Sequence, residues 1–428
     1  MARRRSRSRS RSRLRWIRRA GAGAAATASI LGPAHIGGLP AGDPTLPRVV
    51  WSMNPSAEFA DGRLTAKDDP GLLAISRLGV DELRWGASWA AADPTGRAAH
   101  GATPWDWKVL DGDVETAARA GLRWAPFVCY PPAAVSRTPF APCGGPTTDH
   151  EGYARFTAAL ATRYGPGGAF WRDHPRLPQR PLRAVTVWNE PNLLSVWPTA
   201  LGQQEMPEEY AALYARTRDA VRAAVGARVR VNFAPPAPVD DGRARASEYG
   251  EQLFVRRAVA ALRGGPVDAF EQHPYIADVT ADDPARHTLA RVASFRAMLR
   301  QIGRGDVPME LSEIGVASSY AFLGDPAARP EANVRLSEDQ RARYYREVIP
   351  ALASSNCRIA SISPLFFSAP PPNEIPSSPG EAGVAYLAQT FAIADAPGTL
   401  RPAGKEFRTA VAMARMGRTP PGSTRLCG

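Results

Sequence analysis

From about residue 45 the chain alternates short apolar runs with longer stretches of helical period. The runs at 48–53, 82–85, 122–130, 184–189, 229–234, 267–273, 308–313 and 359–366 carry the β-branched and apolar residues of buried strands, and they predict eight of them. The clearest helix is predicted over 207–225. Pro207 opens its first turn, Glu208 and Glu209 follow, and Tyr210, Leu213, Tyr214, Thr217, Val221 and Val225 fall on one face before Gly226 stops it. Ser337 followed three residues later by Gln340 has the spacing of a capping box and predicts another helix start.

Eight strand-helix alternations predict an α/β fold of the (β/α)8 barrel type, a single catalytic domain over 45–416 with a C-terminal tail at 417–428. The competing architecture, an open doubly wound sheet, usually places a glycine-rich phosphate turn after its first strand, and none follows residue 53. The proline-rich stretch 369–380 comes after the eighth strand and reads as a long loop.

The segment Val187-Trp188-Asn189-Glu190-Pro191-Asn192 runs an apolar strand directly into a glutamate. Pro191 cannot continue a hydrogen-bonded ladder, so Glu190 is expected at the C-terminal lip, where a barrel builds its active site. Glu313 repeats the arrangement at the end of the seventh strand. Two carboxylates across a cleft suit glycosidic bond cleavage, in which one protonates the departing oxygen and the other attacks or stabilises the anomeric carbon. Glu310 competes with Glu313 in the same strand. Lying three residues earlier, it is expected to point the opposite way and to sit farther from the lip.

Trp188-Asn189-Glu190-Pro191-Asn192 together with Ser312-Glu313-Ile314-Gly315 resembles the clan A retaining glycoside hydrolases, and within them families 39 and 5. The resemblance implies Glu190 as acid/base and Glu313 as nucleophile. It further implies that Asn189 binds the sugar 2-hydroxyl, that Arg84 holds the nucleophile ionised, and that His273 and Tyr275 line the site. One departure stands out. The clan usually ends its eighth strand in a tryptophan floor, whereas Ser363-Pro364-Leu365-Phe366-Phe367 has none, leaving Phe366 or Phe367 to substitute. Trp85, Trp89, Trp105 and Trp107 after the second strand and Trp197 after the fourth are expected in lip loops, where indoles stack on sugar C–H faces; core packing is the alternative for each.

Composition adjusts this picture at the N-terminus. The 428 residues carry a net charge of +12, yet ten arginines lie before residue 20, so the rest of the chain is close to neutral. A nearly neutral body argues against a nucleic-acid-binding surface. The arginine-serine run followed by small apolar residues reads as an export signal over residues 1–40, by the general or the twin-arginine route. A disordered basic tail and an RNA-contacting segment are the alternatives. Secretion or display at the cell surface is the expected location, without stable membrane insertion.

Four cysteines permit three pairings. The barrel order favours Cys129 with Cys143 and Cys357 with Cys427, and free buried thiols are the alternative. The six histidines show no ligand spacing, and neither a nucleophile elbow nor a phosphate loop is present in the sequence. No metal or organic cofactor is expected. The expected partner is a carbohydrate substrate, either hydrolysed or transferred, with a non-catalytic saccharide-binding protein as the alternative function.

Overall fold

The computed structural model describes residues 49–55, 70–138, 142–198, 205–242, 249–276, 283–317, 336–368, 390–395, 398–418 and 425–428. The export-signal reading of residues 1–40 and the predicted loop at 369–380 lie outside them.

Eight parallel strands close into a barrel in chain order: β1 Val50–Met53, β2 Glu82–Ser88, β3 Arg123–Cys129, β4 Ala184–Val187, β5 Arg230–Phe233, β6 Ala269–Gln272, β7 Met309–Ile314 and β8 Ile359–Pro364. β8 returns to β1 through Val50 against Ser361, which closes the ring and leaves no free edge. Every predicted strand is present. Helices lie between the strands, and Pro402–Arg415 follows the barrel.

The helix predicted over 207–225 is Met206–Val225, and all six residues expected on its apolar face are buried. At the start of Glu338–Ala353, Ser337 and Gln340 make both bonds of the capping box. Both expected disulfides are formed, Cys129–Cys143 and Cys357–Cys427. The second ties the end of the 417–428 tail to the segment entering β8. No helix among the described residues is long and apolar enough to cross a membrane.

The apolar core lies between the strands and the surrounding helices, with Leu83, Val128, Val185, Val231, Phe233 and Leu311 facing outward into it. Inside the ring most residues are polar instead: Ser52, Glu82, Arg84, Thr186, Asn232, Glu271, Glu310, Ser312, Ser361 and Ser363 line one internal cavity together with Ala125, Pro126 and Ala184. Branched apolar layers are the commoner filling of such barrels. Charge balance makes the polar filling tolerable. At the N-terminal ends of the strands, buried Glu82 accepts from Arg123 at 3.0 Å and Arg183 at 2.7 Å, while Glu310 accepts from Arg183 at 2.9 Å and from Arg230. Removing one member would strand a buried charge, which costs several kcal/mol, on the order of 3–5.

Candidate active site

The strand ends bring six of the expected site residues onto one another. Arg84 on β2 is the hub. Its Nη1 donates to Glu313 Oε1 at 2.9 Å and to Asn54 Oδ1 at 3.3 Å, and its Nη2 donates to Asn189 Oδ1 at 2.8 Å. Tyr275 Oη donates to the other oxygen of Glu313, Oε2, at 2.8 Å. Both oxygens of Glu313 are therefore gripped, one by a cation and one by a phenol. Burial, followed by the adjoining Glu313 charge, pushes the Tyr275 hydroxyl well above its usual range, so it remains a donor.

Glu190 follows directly from its local sequence. Trp188 and Glu190 both take left-handed backbone conformations, φ +75° and +47°, of the kind that costs on the order of 1–3 kcal/mol in a non-glycine residue. The surroundings enforce them. The Trp188 indole is fully buried between Tyr153 and Trp197, with ring centroids 5.9 and 5.0 Å away, and the Glu190 N–H donates to Pro235 O at 3.0 Å. The turn delivers the Glu190 side chain to the mouth, where it is 22% exposed against 15% for Glu313. Both carboxylates can meet a ligand from solvent.

His273 joins them. Its Nδ1 lies 2.9 Å from Glu190 Oε1 and its Nε2 3.6 Å from Glu313 Oε1. One donor atom from each of the three side chains lies within 4.8 Å of the others. The imidazole is fully buried, and desolvation, against the opposing pull of the Glu313 charge, brings its pKa down to about 4. It is a neutral ring at pH 7. Two carboxylates and an imidazole are also a plausible donor set for a cation, but Arg84 already occupies the charge of Glu313 and would repel one. The arrangement suits proton handling.

Two expectations need correction. Trp197 does not face a cleft: it is fully buried, its indole N–H donates to Glu209 at 3.0 Å, and its ring packs on Trp188 and Tyr210. Its place is behind the Glu190 turn. The other tryptophans behave similarly: Trp85 and Trp89 are buried, while Trp105 and Trp107 pack on Phe156 of the helix His150–Tyr164. Glu310 is farther from the lip, as expected, but its side chain lines the barrel interior alongside Arg84. Glu313 nonetheless reaches the same guanidinium. The β7–β8 pairing shifts register between Leu311 and Ile314, and strict alternation of side chains ends at that irregularity.

Three neighbours escaped the sequence reading. Asn54, at the end of β1, donates through Nδ2 to Ser312 O and Ser363 Oγ, both at 2.9 Å, and so ties β1 to β7 and β8 while its Oδ1 supports Arg84. The Asn54-Pro55 pair at a strand end was the only local signal. Phe127 on β3 lies under the Arg84 guanidinium, 4.7 Å from its ring centroid. Glu271 on β6 places Oε2 3.7 Å from Arg84 Nη2. At the end of β8, Phe367 is buried and Phe366 half-buried, and Phe391 packs edge-on against Tyr275 at 5.4 Å.

No family model matches the sequence, and no curated protein matches it. Solved structures do share its fold. A GH39 enzyme from Xanthomonas axonopodis pv. citri superposes over 86% of this chain and 66% of its own, with 16% identity and a TM-score of 0.56. A monomeric β-xylosidase from Caulobacter crescentus covers 84% and 67%, at 16% identity and a TM-score of 0.56. A GH5_18 enzyme from Streptomyces cattleya, solved with GlcNAc, covers 88% and 82%, at 15% identity and a TM-score of 0.55. The chain thus spans about two thirds of the length of the first two. What the chain shares with them is the fold, a closed (β/α)8 barrel.

Proposed function

We propose that this chain is a retaining glycoside hydrolase. Glu313 attacks the anomeric carbon of an O-glycoside while Glu190 gives its proton to the departing oxygen. Water, deprotonated by Glu190, then opens the glycosyl-enzyme. The observation that carries the proposal is the carboxylate spacing. Oxygens of Glu190 and Glu313 within 4.8 Å of each other support the ~5–5.5 Å between carboxyl groups of retaining sites over the ~6.5–9.5 Å of inverting ones.

The neighbours have matching roles. Arg84 and Tyr275 hold the two oxygens of Glu313 and aim the carboxylate. Asn189 accepts from Arg84 through Oδ1, and its amide N–H groups are assigned to donate to a sugar 2-hydroxyl. His273 takes part in the hydrogen bonding of Glu190, which must alternate between acid and base. The buried aromatic layer of Trp188, Trp197 and Tyr153 supports the strained turn that presents Glu190.

Trapping with a panel of activated 2-deoxy-2-fluoro glycosides, read by intact mass and peptide mapping, tests the mechanism. A label on Glu313 is expected, and the sugar that labels defines the substrate class. A wild-type protein that takes no label and is as inert as Glu190→Ala, while still binding saccharide, would leave a binding protein on the same barrel. The proposal includes export through residues 1–40, in keeping with two disulfides that persist in oxidising compartments. N-terminal sequencing of protein recovered from culture medium checks it: a start beyond the arginine run is expected, and an intact Met1 in the cell pellet would refute export.

A further inference from the structure

Glu271 has no part in the chemistry proposed above, yet it sits one residue pair below it on β6. Its carboxylate is 2% exposed. Oε1 accepts from Thr186 Oγ1 and from Asn232 Nδ2 at 2.9 Å, so neighbouring strands β4 and β5 hold it in place. Oε2 receives no hydrogen bond. It faces Arg84 Nη2 at 3.7 Å, across the cavity that Ser52 and Ser312 also line. Donors on one oxygen and a guanidinium beside the other suit the anion. Arg84 therefore stands between two carboxylates, Glu313 above it at 2.9 Å and Glu271 below.

We propose that Glu271 is a positioning residue that shares Arg84 with Glu313 and so limits how tightly the guanidinium holds the nucleophile. The inference rests on the hydrolase reading for its consequence, and on geometry alone for the electrostatic link. A nucleophile paired with an undivided cation is a poor one, because attack on carbon must neutralise the very charge the cation stabilises. A second anion behind the cation offsets part of that hold. The offset is large because the site is buried and poorly screened by salt.

Other charges around the link are accounted for. Glu313 faces Arg84, His273, Tyr275 and, across the mouth, Glu190. Glu271 shares the barrel interior with Arg84, Glu82 and Glu310, and the last two are paired with Arg123, Arg183 and Arg230. Glu271 is the member of that set whose nearest cation is the one that also grips Glu313.

The test compares Glu271→Gln and Glu271→Met, which remove the charge at nearly constant volume, with Glu271→Asp, which keeps it. Protein labelled with 13C at glutamate carboxyls is titrated, and the Glu313 resonance is identified by its loss in Glu313→Gln. Both neutral variants are expected to move the Glu313 midpoint down by about 0.5–1 pH unit, and the aspartate variant to move it far less. The acid limb of kcat/KM on a substrate found by the trapping panel should move with it, and kcat should fall. A simple packing role would lower thermal stability in all three variants and leave the midpoint in place. That outcome in whichever neutral variant folds overturns the proposal. Because the titration needs no substrate, an inert wild-type protein with a movable midpoint would sink the hydrolase reading and keep the electrostatic link.

Discussion

His273 Nδ1 lies 2.9 Å from Glu190 Oε1, and its other ring nitrogen faces Glu313 Oε1 at 3.6 Å. A single neutral imidazole thus spans the two carboxylates. When Glu190 carries the proton, its hydroxyl donates to Nδ1, and the N–H at Nε2 is directed at Glu313. When Glu190 is ionised, the opposite tautomer lets Nδ1–H donate to it. The ring can follow either state of Glu190 without itself becoming charged, which its burial disfavours.

Replacing Glu190 by alanine should separate the acid and base duties proposed for it. On substrates with poor leaving groups kcat/KM should fall by about 10²–10⁴, the range for loss of a general acid. On activated aryl glycosides the first step should persist, and the glycosyl-enzyme should accumulate for want of a base. Stopped-flow release of the aryl group followed by mass spectrometry measures both. Equal losses on the two substrate types would remove Glu190 from the acid role.

Buried His273 makes stability depend on pH. Its folded pKa of about 4 lies below the unfolded value of 6.5, so between these values the unfolded chain binds more protons. This contribution is complete above pH 6.5 and is lost as pH falls toward 4, amounting to about 3 kcal/mol. Urea unfolding of wild type and His273→Gln at pH 7 and pH 4.5 checks it. The variant should lose less stability between the two pH values; identical losses would mean the ring is not buried as a neutral base.

Tyr275→Phe deletes one hydrogen bond to a carboxylate while keeping the ring against Phe391. Its loss frees Glu313 from one of the two groups that aim it at the anomeric carbon, and such misplacement of the nucleophile should lower kcat/KM by about 10²-fold. With one donor fewer, the Glu313 anion is less favoured, and the acid limb of the rate profile should move toward neutral pH. That shift is opposite in sign to the one expected for the neutral Glu271 variants. A pH profile that stays in place would assign Tyr275 to packing.

The two disulfides should differ in worth. Cys357–Cys427 spans 70 residues and Cys129–Cys143 spans 14. On a chain-entropy account the longer loop contributes about 4 kcal/mol and the shorter about 3. Replacing each pair by serine and measuring the unfolding free energy tests the order. A larger loss for the short loop would point to native contacts, such as the Tyr130 N–H donating to Cys143 O, in place of loop closure.

Much of this fold could be read from periodicity because strand and helix periods report local burial. The run into Glu190 and Pro191 placed a carboxylate at a lip, since a proline ends a ladder wherever the strand lies. The face of the helix Met206–Val225 was legible for the same reason. Trp197 was not, because an indole near a lip has the same local sequence whether it meets a sugar or, as here, packs behind the turn that carries Glu190.

Sequence alone determined the number and order of the strands, both carboxylates and the arginine, histidine and tyrosine at neighbouring strand ends. Tertiary structure decided how they share one another. The register shift near Ile314 turns Glu313 toward Arg84 against the simple alternation rule, and ring closure sets Asn54 and Glu271 beside residues far away in the chain. Periodicity records which face of an element is buried. Only closure of the barrel decides which buried charges meet, because Coulomb interactions depend on distance in space and not along the chain.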